Sequence, residues 1–109
     1  MKITILGFEW SIVERSESED KYLVGTDGYC DWTTRTIVIE REIEGSLADM
    51  EAYIRKVKRH EIIHAFLEEC GLSECTYAPE GWARNEEMVD WFARMGPQIY
   101  EAWKAAGAL

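Results

Sequence analysis

His60-Glu61-Ile62-Ile63-His64 sets two imidazoles four residues apart, with a carboxylate directly after the first. In a helix, residues four apart lie one turn apart on the same face, so both rings can reach one metal ion. Glu61 flanks that ion rather than competing for it. A carboxylate in that slot can hold and deprotonate a metal-bound water, the chemistry of metal-assisted hydrolysis. These are the only two histidines in the chain. A solvated polar stripe or a hydrogen-bonded core pair is the plainer explanation of two such histidines. It gives no reason for both to fall in this register with Glu between them.

A zinc site with an open position takes three ligands from the protein. With no third histidine, the missing ligand must be a carboxylate or a thiolate. Asn85-Glu86-Glu87-Met88-Val89-Asp90 supplies carboxylates. Glu86 and Asp90 are four apart on one helical face, and Val89 and Ala93 share the flank that turns inward. Glu86 is the expected third ligand. Asp90 is expected to accept the second ring N–H of His60 and fix its tautomer. Glu87, turned by about 100° at 3.6 residues per turn, is the alternative ligand. A solvated acidic helix start, favoured by the macrodipole, would explain all three without a metal. Cys70 and Cys75 are too widely spaced for a CxxC motif. One of them near the metal is a lesser option, since free cysteine usually acts as a small buried hydrophobe.

The elements that must carry these residues follow from the pattern. Residues 2–6 alternate as a short strand, Gly7 marks a kink or bulge, and residues 8–14 continue as a strand with Phe8, Trp10 and Ile12 on one side. Residues 15–21 are a polar tip. Tyr22-Leu23-Val24 reads as a brief extended piece and Gly25-Thr26-Asp27-Gly28 as a turn. Strands are expected over 29–32 and, with its β-branched run, over 36–40. Residues 1–44 therefore form a small antiparallel sheet of about three or four strands. Ser46, with Asp49 three residues on, predicts an N-cap for a helix over 46–71 that carries the histidines and ends at Gly71 as a C′ glycine. Along its inward stripe, Glu61 and His64 interrupt Met50, Ile54 and Val57, the local inconsistency expected at a site. Residues 72–81 read as a loop. A second helix is expected over 82–95, broken by Gly96-Pro97, and a third over 97–106. The expectation is one α+β domain, a sheet packed on two to three helices.

At 109 residues a single domain is the default. The net charge is −9, and a solvated helix face explains the longest basic concentration, Arg55-Lys56-Val57-Lys58-Arg59, at least as well as a binding patch. Binding to a phosphate backbone is therefore disfavoured. Three cysteines with no regular spacing argue against a secreted disulfide framework. No signal-peptide pattern follows Met1 and no apolar run is long enough to span a bilayer. A soluble, cytoplasmic protein is expected.

The two motifs together resemble the gluzincin pattern of zinc metallopeptidases. More narrowly, residues 28–95 resemble the ImmA/IrrE-like metallopeptidases and their small phage-encoded relatives, in which a short sheet precedes a helix reading HExxHxFL. Here that stretch is His60 to Leu67, and the family's second motif falls on Glu86 to Ala93, with Val89 in place of the usual small residue. The resemblance implies a minimal zincin-like fold and one Zn2+ per chain held by His60, His64 and Glu86. It also implies Glu61 as the catalytic carboxylate and Asp90 behind a ligand. Relatives include endopeptidases that cut repressors or regulators, which implies a protein or peptide substrate and a bacterial or phage-infected cell. Gluzincins generally add a His or Tyr to stabilise the oxyanion, which leaves Tyr77 and Tyr100 as candidates here. A zinc-binding structural or protein-interaction module, with Trp82, Trp91 and Trp103 at its interface, is the competing expectation. A zinc hydrolase acting on a non-peptide substrate is a third.

Overall fold

A computed structural model describes residues 1–76, 81–107 and 109, the side chains of Cys75 and Ala102 excepted. The architecture is α+β: a four-stranded N-terminal sheet followed by three helices. β1 (Lys2–Ile5) and β2 (Phe8–Arg15) form a hairpin closed by Leu6 and Gly7, with Ile5 opposite Phe8. Both turn residues have positive φ, 49° and 86°, the geometry of a two-residue turn whose twist matches the strands. Gly7 is thus a hairpin turn residue rather than a bulge within a strand.

A 3-10 turn at Lys21–Leu23, capped by Asp20, replaces the expected extended piece at 22–24. β3 (Gly28–Asp31) then pairs with β4 (Thr36–Glu40) in a second antiparallel hairpin. The sheet order is β1-β2-β4-β3, and β4 runs parallel to β2. The expected all-antiparallel sheet is therefore corrected to a mixed one. β4 slots between β2 and β3 because its run of Ile37, Val38 and Ile39 is at most 1% exposed on both faces. Such a continuous apolar strand belongs in the middle of a sheet. Phe8 does not join Trp10 and Ile12 in the core. It lies exposed at the strand end, under the Arg35 guanidinium.

α1 (Met50–Glu69) packs its Val57 and Ala65 against Ile5, Trp10, Ile12, Ile37 and Ile39 of the sheet. Its far end is anchored by Glu69, which takes 2.8 and 3.1 Å hydrogen bonds from Arg35 and a 2.8 Å bond from the buried Trp10 indole. The helix starts one turn later than Ser46 predicts. Asp49 is the N-cap, accepting from the Ala52 amide at 2.9 Å. A carboxylate both caps the open N–H groups and complements the helix dipole, so it outcompetes the serine. Accordingly, Asp49→Ala should lower stability by about 1 kcal/mol. Ser46→Ala should cost no more than a few tenths of that, as read by urea unfolding.

Gly71, at φ 85°, ends α1 as a left-handed glycine. Part of the predicted loop is a short helix, α2 (Leu72–Cys75), and Trp82–Arg84 forms a 3-10 turn. α3 (Glu86–Ala105) begins after Asn85, whose side chain accepts from the Met88 amide. The predicted break at Gly96-Pro97 is absent, and the two expected helices are one. Pro97 has no N–H to give to the Ala93 carbonyl. Arg59 of α1 supplies the missing donor, its Nε reaching that carbonyl at 2.7 Å. The proline is tolerated because a neighbouring helix completes its hydrogen bonding, and the same bond pins α3 beside α1.

Candidate metal centre

α1 and α3 lie side by side, and the site sits where His60, Glu61 and His64 of the first meet the N-terminal turn of the second. The two imidazoles are stacked edge to face, with ring centroids 4.8 Å apart. Their Nε2 atoms are 3.1 Å from each other. Glu86 completes the triangle, with Oε2 3.1 Å from His60 Nε2 and Oε1 3.1 Å from His64 Nε2. One donor atom from each of the three residues lies within 4.8 Å of the others. Bonds of about 2.0–2.1 Å to a tetrahedral zinc put neighbouring donors about 3.3 Å apart, so these spacings suit a single ion.

The proton inventory points the same way. His60 Nδ1 lies 3.2 Å from Asp90 Oδ1, which can only accept when ionised. A neutral His60 that donates there has a bare lone pair at Nε2. That lone pair faces a carboxylate oxygen and a second imidazole nitrogen, so acceptors confront acceptors unless a proton or a metal cation sits between them. The donor set of two imidazoles and a carboxylate fits zinc.

Asp90 is held hard in its ionised form. Hydrogen bonds from Lys56, at 3.0 Å, then from Arg94 and His60, bring its carboxyl down to about 2. Lys56 belongs to the basic run that the sequence predicts as a solvated helix face. It is instead one of the less exposed charges of the molecule, at 16%, and lies on the same helical flank as His60, one turn earlier. That i−4 relation to His60 was the available signal. The charge it contributes sets the carboxylate that orients His60.

Glu61 is only 6% exposed and receives no hydrogen bond among the described residues. Burial, and secondarily the charge of Glu86, pushes its carboxyl up to about 7 in the metal-free chain. Burial also lowers the His64 pKa, an effect the Glu86 carboxylate opposes. Directly over Glu61 runs β3. A Cβ on Gly28 would come 2.8 Å from the Val38 carbonyl and 3.3 Å from Glu61 Cγ, so only glycine lets the strand pass this closely. Gly28 read from sequence as turn chemistry alone. Its second role depends on Glu61, thirty-three residues later in the chain.

The histidines, Glu61 and Glu86 open into a cleft of about 340 Å³ lined also by Thr26, Gly28, Tyr29, Cys30 and Glu68. A smaller recess of about 220 Å³ extends it past Tyr53 and Asp90. Larger hollows exist among the residues of the 17–27 segment, but they carry neither histidine. Glu87 is exposed and stands outside the cluster. Tyr100 is also separated from it. It lines an apolar groove with Ile62, Ile63, Phe92 and Pro97. Because α3 is unbroken, Tyr100 lies about 21 Å along the helix from Glu86 at 1.5 Å per residue. Tyr77 falls outside the described residues. Cys70 is exposed at the end of α1, with its thiol on the Leu67 carbonyl, and the side chain of Cys75 is not described. The cysteine that does line the cleft is Cys30, whose thiol burial pushes up to about 12. Among the described residues, no helix is long and apolar enough to cross a membrane.

Comparison of the chain with protein-family models, with curated proteins and with solved structures finds no match.

Proposed function

We propose that this chain is a zinc-dependent endopeptidase acting on a protein or peptide substrate. One observation carries the reading: Glu61, only 6% exposed and without a hydrogen-bond partner among the described residues, opens into the cleft beside the convergent donors of His60, His64 and Glu86. A zinc ion held there would supply a Lewis acid and make water acidic enough to react near neutral pH. Asp90, charged through Lys56, keeps the Nδ1 proton on His60 and turns its Nε2 lone pair toward the ion. Glu61 takes the proton from the attacking water and returns it to the leaving amine.

The substrate's path follows from the sheet. β4 is hydrogen-bonded on both sides, so the Thr36–Glu40 strand cannot receive a further one. β3 is the edge, and among the described residues it pairs with β4 alone. An extended peptide can add to its free side and lie across the mouth of the cleft. Catalysis should appear as new N-termini when zinc-loaded protein is incubated with an unstructured protein such as β-casein. A chelator should abolish it and added zinc should restore it. No cleavage under any of these conditions would refute the proposal.

A second reading is favoured by the exposure of Trp82, Trp91 and Trp103, each at least half exposed. Aromatic side chains in such positions suit a protein interface. On that reading the metal organises a binding module, and Glu61 is dispensable for partner binding.

A further inference from the structure

The proposed endopeptidase cleft has a charge that its chemistry does not use. Among its lining residues, Glu61, Glu68 and Glu86 carry carboxylates and none carries a cation. The one lysine of the adjoining recess, Lys56, is engaged by Asp90. Glu86 belongs to the donor set and Glu61 to proton transfer, which leaves Glu68. It stands one helical turn beyond His64 on the same flank of α1, half-buried. Ser73 donates to its Oε1 at 2.8 Å and fixes the carboxylate in place. Among the described residues it has no ion-pair partner and no second donor. Its neighbour Glu69 shows what a structural carboxylate looks like in this fold, with both oxygens taken by Arg35 and Trp10.

A half-buried carboxylate held in one orientation on the wall of a cleft, with no cation among the cleft's lining residues, presents a fixed negative charge to whatever enters. Glu61, 6% exposed and without a hydrogen-bond partner among the described residues, opens into the same cleft. Uncharged groups share the cleft wall with the carboxylates: Gly28 has no side chain, and Cys30 stays a neutral thiol. Such a wall suits an aliphatic stem that ends in a charge.

We propose that Glu68 selects substrates with a lysine or arginine side chain in a residue flanking the cleaved bond. The proposal rests on the endopeptidase reading for its cleavage arm only. In that arm, zinc-loaded wild type and Glu68→Gln act on a peptide library made by cutting a cell proteome after acidic residues, and cut sites are read by mass spectrometry. Lysine and arginine should be enriched about tenfold at one position beside the cut, the value of one charge-assisted hydrogen bond. The enrichment should vanish in Glu68→Gln and partly persist in Glu68→Asp. Cuts without basic enrichment, or enrichment unchanged in Glu68→Gln, would overturn the proposal.

The second arm needs no turnover and, in its first comparison, no change at position 68. Zinc-loaded Glu61→Gln protein is titrated with a labelled glycine pentapeptide carrying a central lysine, and with its glutamate counterpart. The lysine peptide should bind about tenfold more tightly, and adding Glu68→Gln should remove the difference. No cleavage with this selectivity intact would refute the peptidase reading and leave Glu68 as a cation-selecting group. No selectivity would overturn the role of Glu68, whatever the cleavage result.

Discussion

Glu86→Ala should take the metal content from close to one zinc per chain to near zero, measured by mass spectrometry on protein purified without a histidine tag. Glu86 supplies one oxygen toward each imidazole, both at 3.1 Å, so its loss leaves two nitrogens 3.1 Å apart and no carboxylate among the donors. Two imidazoles alone do not make a closed or stable protein zinc site. Asp90→Asn is the graded comparison. It keeps all three donors and removes the charge that orients His60, so zinc should still bind but about 10–100-fold more weakly in competition with a chromophoric chelator. Glu87→Ala should bind as wild type does, because that side chain is exposed and outside the cluster. Zinc retained by Glu86→Ala and lost by Glu87→Ala would reassign the third ligand and with it the rotation of α3 about its axis.

What the sequence conveyed about this site was local in origin. His60 and His64, and likewise Glu86 and Asp90, are related by one helical turn, and a helix converts that spacing into a shared face whatever surrounds it. The features that escaped are those that join distant segments. β4 enters the sheet beside β2 in parallel, although β3 lies between them in sequence; nothing in residues 36–40 names its partner. Pro97 looked like a helix boundary because its ring removes a donor. The replacement donor to the Ala93 carbonyl comes from Arg59, thirty-four residues from Ala93 and in the other helix. Lys56 and Gly28 likewise acquire their roles from Asp90 and Glu61, residues on other elements. The error at Ser46 is of another kind: two capping residues stand three apart, and only the choice between them moved the helix start by one turn.

Glu61→Gln should retain zinc and lose cleavage by about 10²–10⁴-fold, the usual contribution of a positioned general base. The amide keeps the shape of the side chain beneath Gly28 and cannot accept a proton from water. Metal content and cleavage are therefore expected to separate in this variant, whereas in Glu86→Ala they should fall together. Equal activity would remove Glu61 from the mechanism. Partner binding that survives the change, in a chain that never cuts, would favour the interaction-module reading. The same substitution has a second readout that involves no substrate. In the metal-free chain, burial raises the Glu61 carboxyl from 4.5 to about 7. The folded state then keeps a proton that the unfolded chain releases at lower pH. Stability is full below the unfolded value and declines as pH rises, until the folded group has also ionised near pH 7. Glutamine does not titrate, so metal-free Glu61→Gln should be the more stable protein at pH 8, by at most about 3 kcal/mol, with the advantage largely gone at pH 4. Urea unfolding at the two pH values measures this. An advantage equal at both, or none at either, would mean that the Glu61 carboxylate is better solvated than its burial indicates, and would weaken its assignment as a base held ready in a dry cleft.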